Sequence, residues 1–121
     1  MALSRIAAEF AAEISYHDWS DAPWRTDRAG HDRESDTNRG REQLSPEETA
    51  RVRWNVMMVA AQVLGYSDRN FNEYEFAEAC GVETLTSRGY KNGGIRAGLR
   101  RVDNRLCRPG TWEIDDPSQD E

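Results

Sequence analysis

The stretch LSPEETARVRWNVMMVAAQVLG, residues 44–65, constrains the fold more than any other part of this 121-residue chain. Ser45 stands where a hydroxyl accepts from the first free N–H groups of a helix, and Glu48, three residues on, reaches back to close a capping box. Pro46 suits the first helical position, which has no N–H partner to lose. Gly65 is expected to end the helix, where a left-handed residue is wanted. Two apolar stripes run along it: Ala50, Trp54, Met57, Ala61 and Leu64 on one side, and Val52, Val56, Val59 and Val63 on the other. A helix apolar on two faces belongs at the centre, packed between neighbours.

Those neighbours are sought on either side. Leu3, Ile6, Ala7, Phe10 and Ile14 recur at spacings of three and four, which predicts an amphipathic helix over 3–16. In FNEYEFAEACGV, Asn72 caps a short helix and Phe71 staples onto Phe76 across its start. Gly81 stops this helix, and Val82 folds back onto Ala77 in a Schellman-type closure. Ile95, Leu99, Val102 and Leu106 form a further stripe at helical spacing, so a last helix is expected over 95–106. Trp112 and Ile114 alternate with polar residues after the Pro109-Gly110 turn, which reads as a short strand. Residues 17–43 hold no sustained period and many turn formers. The expected fold is mainly α, with three to four helices, a small C-terminal strand or wing, and a long irregular segment after the first helix.

Hydrophobic residues make up 37% and charged residues 31%, enough for one modest core, so 1–114 is read as a single small domain. Within it, 18–43 is expected to be a mobile or binding loop, and 115–121 a disordered acidic tail. The longest apolar run, 56–61, is too short to span a bilayer, and Arg5, Glu9 and Glu13 interrupt the first helix as no signal peptide would. Cys80 and Cys107 form no CxxC pair. A cytoplasmic protein without membrane contact is the plain expectation.

Charge is divided unevenly. Residues 84–110 carry Arg88, Lys91, Arg96, Arg100, Arg101, Arg105 and Arg108 against Asp103 alone, giving +6. The remainder carries −12, and the whole −6. Such polarisation marks the basic stretch as a candidate contact for phosphate or for a partner's carboxylates.

Short helix, glycine turn, Arg-rich helix and strand, over about residues 71–114, together resemble a helix-turn-helix of the winged-helix kind. The resemblance lies in FAEACGV, where Ala77 and Gly81 hold the Ala-xxx-Gly spacing that lets two helices cross closely. It implies that 95–106 is a recognition helix and 107–114 a wing. The chain departs from that pattern in its loop, since about thirteen residues separate Gly81 from Ile95 where the family has a few. The short, Arg-over-Lys, acidic composition is also similar in style to small accessory proteins of actinobacteria and their phages.

No catalytic motif is present, so the expected function is a non-enzymatic regulatory module contacting nucleic acid. Its candidate contacts are Arg96, Arg100, Arg101, Arg105, Arg108, Lys91 and Asn92, with arginine suited to phosphates and guanine edges. The rival is an acidic protein–protein adaptor or inhibitor gripping its partner with Trp19 and Trp24, which otherwise fold back as a lid on the core. His17-Asp18 and His31-Asp32, with Asp21, Asp27 and Asp36 nearby, bring histidine and carboxylates together as a possible metal set, but no helix-spaced His pair and no Cys ligand accompanies them. The expectation there is packed or surface histidines, with no metal and no cofactor. Cys80 is read as a core residue and Cys107 as no nucleophile, since no His or Asn motif accompanies it.

Overall fold

The computed structural model of the chain describes residues 3–36 and 42–115. Four helices and one hairpin follow in order: α1 Arg5–Tyr16, α2 Pro46–Ser67, α3 Glu73–Ala79, α4 Gly93–Ala97, then β1 Arg101–Val102 and β2 Arg105–Leu106. The fold is mainly helical with a small antiparallel sheet near its C-terminal end, as expected. Among the described residues no helix is long and apolar enough to cross a membrane. The tail expected to be disordered lies, beyond Asp115, outside the described residues, as do residues 37–41 of the long segment.

Local signals act where the sequence places them. Ser45 accepts from the Glu48 N–H at 3.1 Å while Glu48 accepts from the Ser45 N–H at 2.9 Å, a reciprocal cap worth about 1 kcal/mol. Asn72 accepts from the N–H groups of Tyr74 and Glu75, and the Phe71 and Phe76 rings meet at 5.3 Å. Gly81 takes φ +86°, and the Val82 N–H donates to the Ala77 carbonyl at 3.0 Å, which completes the Schellman closure.

The core forms where α1, α2 and α3 meet. Ala7, Ala11 and Ile14 face Met57, Ala61 and Leu64, with Phe76, Ala77 and Cys80 closing the third side. Small residues on α1 let the helices approach closely, and Phe76 and Met57 fill the space. Trp19 packs against this core and donates its indole N–H to the Ile14 carbonyl at 3.0 Å. It is the lid, whereas Trp24, at the end of the 3₁₀ turn Ala22–Trp24, stays half exposed.

Three expectations are corrected. The helix expected over 95–106 ends at Ala97; Asp103 and Asn104 take φ 52° and 63°, which turns the chain into a hairpin. Two consecutive left-handed residues match the backbone twist of a two-residue hairpin loop, and Asp and Asn tolerate that region. Consequently Trp112 and Ile114 form no strand; the hairpin lies ten residues earlier. Gly65 does not end α2, which continues to Ser67. It is instead a point of close approach, for a Cβ there would stand 2.6 Å from Leu106 Cδ1 and 3.2 Å from the Phe71 ring.

Gln62 explains how so short a hairpin stays docked. Its buried amide accepts from the Arg100 N–H at 2.8 Å and donates to the carbonyls of Arg100 (3.3 Å) and Cys107 (3.1 Å). One side chain on α2 therefore holds both ends of the hairpin, where the Cys107 N–H also donates to the Arg100 carbonyl.

Candidate cationic groove and the His31 clasp

Beyond α2, the Asp68 carbonyl accepts from the Phe71 N–H and its carboxylate from the Asn70 N–H, a turn that presents Arg69. Across from it lie α4 and the hairpin. Between them runs a cleft of about 500 Å³ lined by Arg69, Arg96, Arg101 and Arg105 with Asp68, Glu73 and Asp115. A second cleft of about 510 Å³ shares Arg69, Phe71, Glu73 and Arg96 with the first and extends the groove to Tyr74 and Lys91. The whole groove thus carries five cations and three carboxylates.

Arg96 Nη1 lies 3.1 Å from Glu73 Oε1, and Arg101 Nη2 lies 3.8 Å from the same oxygen. Arg101 also donates to the Arg96 carbonyl at 2.8 Å, which fixes the two guanidiniums side by side. Burial and the neighbouring Arg96 charge push the Arg101 pKa down, with Glu73 opposing them. Lys91 Nζ sits 5.0 Å over the Tyr74 ring, and Arg105 donates to the Asp115 carbonyl, while the carboxylate of that residue accepts from the Tyr66 hydroxyl and faces Arg108.

Four of the seven candidate contacts, Lys91, Arg96, Arg101 and Arg105, therefore meet in one groove. The other three do not. Asn92 caps α4, accepting from the Gly94 N–H at 2.9 Å. Arg100 donates to the Thr111 carbonyl and lies 5.9 Å from the Trp112 ring centre. Arg108 pairs with Glu113 at 2.5 Å and with Asp115 at 3.6 Å. Arg69 is the residue the sequence conceals: it lies outside the basic stretch, and only the turn after α2 brings it across from the hairpin.

A second cluster fills the irregular segment. His31 is fully buried, and both ring nitrogens face carboxylates: Nδ1 lies 2.5 Å from Asp36 and Nε2 2.9 Å from Asp21, with Asp27 at 3.7 Å. Arg25 stands 2.7 Å from Asp27, Arg33 3.3 Å from Asp21, and Arg28 2.6 Å from Asp36. The loop is closed by the Asp18 N–H donating to the His31 carbonyl and the Leu44 N–H to the Ser20 carbonyl. His17 stacks on Trp19 at 4.2 Å, with its Nε2 3.6 Å from Asp27.

A ring that meets ionised carboxylates at both nitrogens donates twice, so the geometry favours the imidazolium. Burial pulls the His31 pKa down, but the hydrogen bonds to Asp36 and Asp21 and the charges of Asp27 and Asp21 outweigh it, and the net direction is up. Arg28 and then His31 hold the Asp36 carboxyl down at about 2. Burial raises Asp18, yet hydrogen bonds from Ser20 and the Arg33 N–H leave it lowered.

Asp21, Asp27 and His31 bring donor atoms within 4.8 Å of one another, near enough for one cation. The protein's own guanidiniums also face these carboxylates, Arg25 at Asp27 and Arg33 at Asp21. The cluster is an ion-pair clasp on the segment beside α1. Burial pushes the Cys80 thiol up to about 12, so it packs as an apolar group. No protein-family model, curated protein or solved structure matches this chain.

Proposed function

We propose that this chain is a non-enzymatic regulatory module that contacts nucleic acid through the groove of Arg69, Lys91, Arg96, Arg101 and Arg105. One observation carries the reading: Arg96 and Arg101 share the single carboxylate of Glu73 at the centre of a groove whose cations outnumber its acids. An unmatched guanidinium beside another is the arrangement that a phosphate relieves, because its oxygens accept from both forks at once. The helix of a helix-turn-helix is not needed for this; α4 is five residues long, and the hairpin supplies two of the five cations. The adaptor reading keeps Trp24 as its exposed anchor, since Trp19 is spent on the core.

Duplex and single-stranded oligonucleotide binding at rising salt tests the proposal, comparing wild type with Arg96→Glu/Arg101→Glu. Wild type is expected to bind at low salt with a steep salt dependence, and the double variant to bind weakly with a flattened slope. Absence of binding by the wild type at low salt, or an unchanged slope in the variant, overturns it and puts the adaptor in front.

A further inference from the structure

The two apolar faces of α2 meet different fates. The face carrying Met57, Ala61 and Leu64 is buried against α1 and α3. On the other face, Val59 is 72% exposed and Val63 46%. Opposite them α1 leaves Ile6 54% and Phe10 47% exposed, although both belong to its apolar stripe. Between the two helices lies a shallow groove of about 620 Å³ walled by Phe10, Ile14, Val56, Val59, Ala60 and Val63, with Asn55 as its polar member.

Two features point to what covers it. The first is area: four side chains at these exposures leave on the order of 400 Å² of apolar surface open, the size of patch that marks an interaction site. A standard interface takes ~800 Å² from each partner, of which a little over half is apolar, so the patch matches the apolar part of one side. The second is shape. Ile6 and Phe10 form one i, i+4 ridge and Val59 and Val63 another, with the groove between them. Ridges flanking a groove of the same helical spacing fit a copy of themselves across a two-fold axis. Val59 and Val63 also lose little rotamer freedom when covered.

We propose that the apolar face shared by α1 and α2 joins two copies of this chain in an isologous dimer centred on Ile6, Phe10, Val59 and Val63. The interface supplies α2 with the second neighbour its sequence demands. It stands independently of nucleic-acid binding, since the cationic groove is built from residues beyond the C-terminal end of this face.

Sedimentation equilibrium on the full chain tests it, at concentrations up to about 100 μM, where an interface of this size is populated. Wild type is expected at twice the 13.8 kDa chain mass. Val59→Glu/Val63→Glu on α2 and Ile6→Glu/Phe10→Glu on α1 are each expected to weaken association by ~100-fold or more. These positions are exposed in the monomer, and helical circular dichroism checks each fold; the milder Val59→Ser is expected to weaken association about tenfold if a double variant unfolds. Arg96→Glu/Arg101→Glu is expected to leave the dimer intact. A monomeric wild type at the highest concentration overturns the proposal and leaves the face to a different protein. A dimer indifferent to folded variants on both helices overturns it in favour of another surface.

Discussion

Around His31, Asp18, Asp21, Asp27 and Asp36 meet Arg25, Arg28, Arg33 and the imidazole ring, with His31 and Asp21 buried and Arg28 at the exposed edge. Around Glu73, five cations meet three carboxylates in an open groove. The same side-chain chemistry thus builds a balanced centre in one place and a surplus in the other. Burial makes the difference: a charge withdrawn from water needs a partner, whereas an exposed guanidinium tolerates an unequal share. The clasp therefore acts in folding, and the surplus in the groove is what a ligand can use.

The strongest way to break this contrast is to remove one ion from each region. His31→Ala leaves Asp21 and Asp36 facing each other without their shared donor, and is expected to cost about 3–5 kcal/mol in urea unfolding. Arg96→Ala removes a half-exposed partner of Glu73 and is expected to cost under about 1 kcal/mol. Comparable losses from the two variants would mean that burial does not separate the regions.

Next in size is Gln62→Leu, which strips three hydrogen bonds from the ends of the hairpin while keeping the side chain's bulk. The unsatisfied Arg100 and Cys107 backbone groups are expected to cost about 2–3 kcal/mol. Because Gln62 anchors the hairpin carrying Arg101 and Arg105, amide exchange at Cys107 is expected to accelerate while the N–H of Asp18, inside the clasp, keeps its protection relative to global unfolding. Equal acceleration at both sites would show that the two regions open together.

What could be read from residues alone follows the same division between local and assembled features. The Ser45–Glu48 box, the Asn72 cap and the Gly81 closure each act over three to five residues, so their chemistry is written contiguously. The 95–106 stripe is different: Ile95, Leu99, Val102 and Leu106 satisfy helical spacing, and only the adjacent left-handed pair Asp103-Asn104 distinguishes a hairpin. That signal was present in the sequence but weaker than Asn-Gly or Asp-Gly. His31 with Asp21, Asp27 and Asp36 is visible in the sequence as a histidine–carboxylate set, but these partners lie four to ten residues away on a segment without period, so no local rule fixes which of them the ring meets. Arg69 likewise joins the groove only through the turn after α2. The double stripe on α2 was legible, though one of its neighbours is not supplied by the described chain.

The pH dependence of stability sharpens the contrast further. His31 has its folded pKa raised above the ordinary 6.5, so its contribution is fully present below that value and is lost as pH rises through the folded pKa. Asp36 is depressed from 3.8 to about 2, so its contribution is present above 3.8 and is lost as pH falls toward 2. Thermal melts are expected to show a plateau between these limits that declines on the alkaline side, with the alkaline decline flattened in His31→Gln. Oligonucleotide affinity over the same alkaline decline is expected to stay level, because guanidiniums keep their charge. A loss of affinity that tracks the loss of stability would show that the clasp, not the groove alone, sets binding.

The smallest effect separates two exposed arginines that composition treats alike. Arg69 faces the groove, whereas Arg108, inside the basic stretch, is tied to Glu113 and Asp115. If the groove takes a phosphate backbone, Arg69→Ala removes one contact and lowers the slope of log affinity against log salt by about 0.9 on duplex DNA. Arg108→Ala is expected to leave the slope unchanged, for its charge is already neutralised by two acids of its own chain. Both substitutions are expected to leave urea stability within about 0.5 kcal/mol of wild type, so the slopes compare binding and not folding. The opposite ranking, with Arg108 carrying the salt dependence and Arg69 none, would move the contact from the groove to the far side of the hairpin and identify the linear run of arginines, not their folded convergence, as the recognition element.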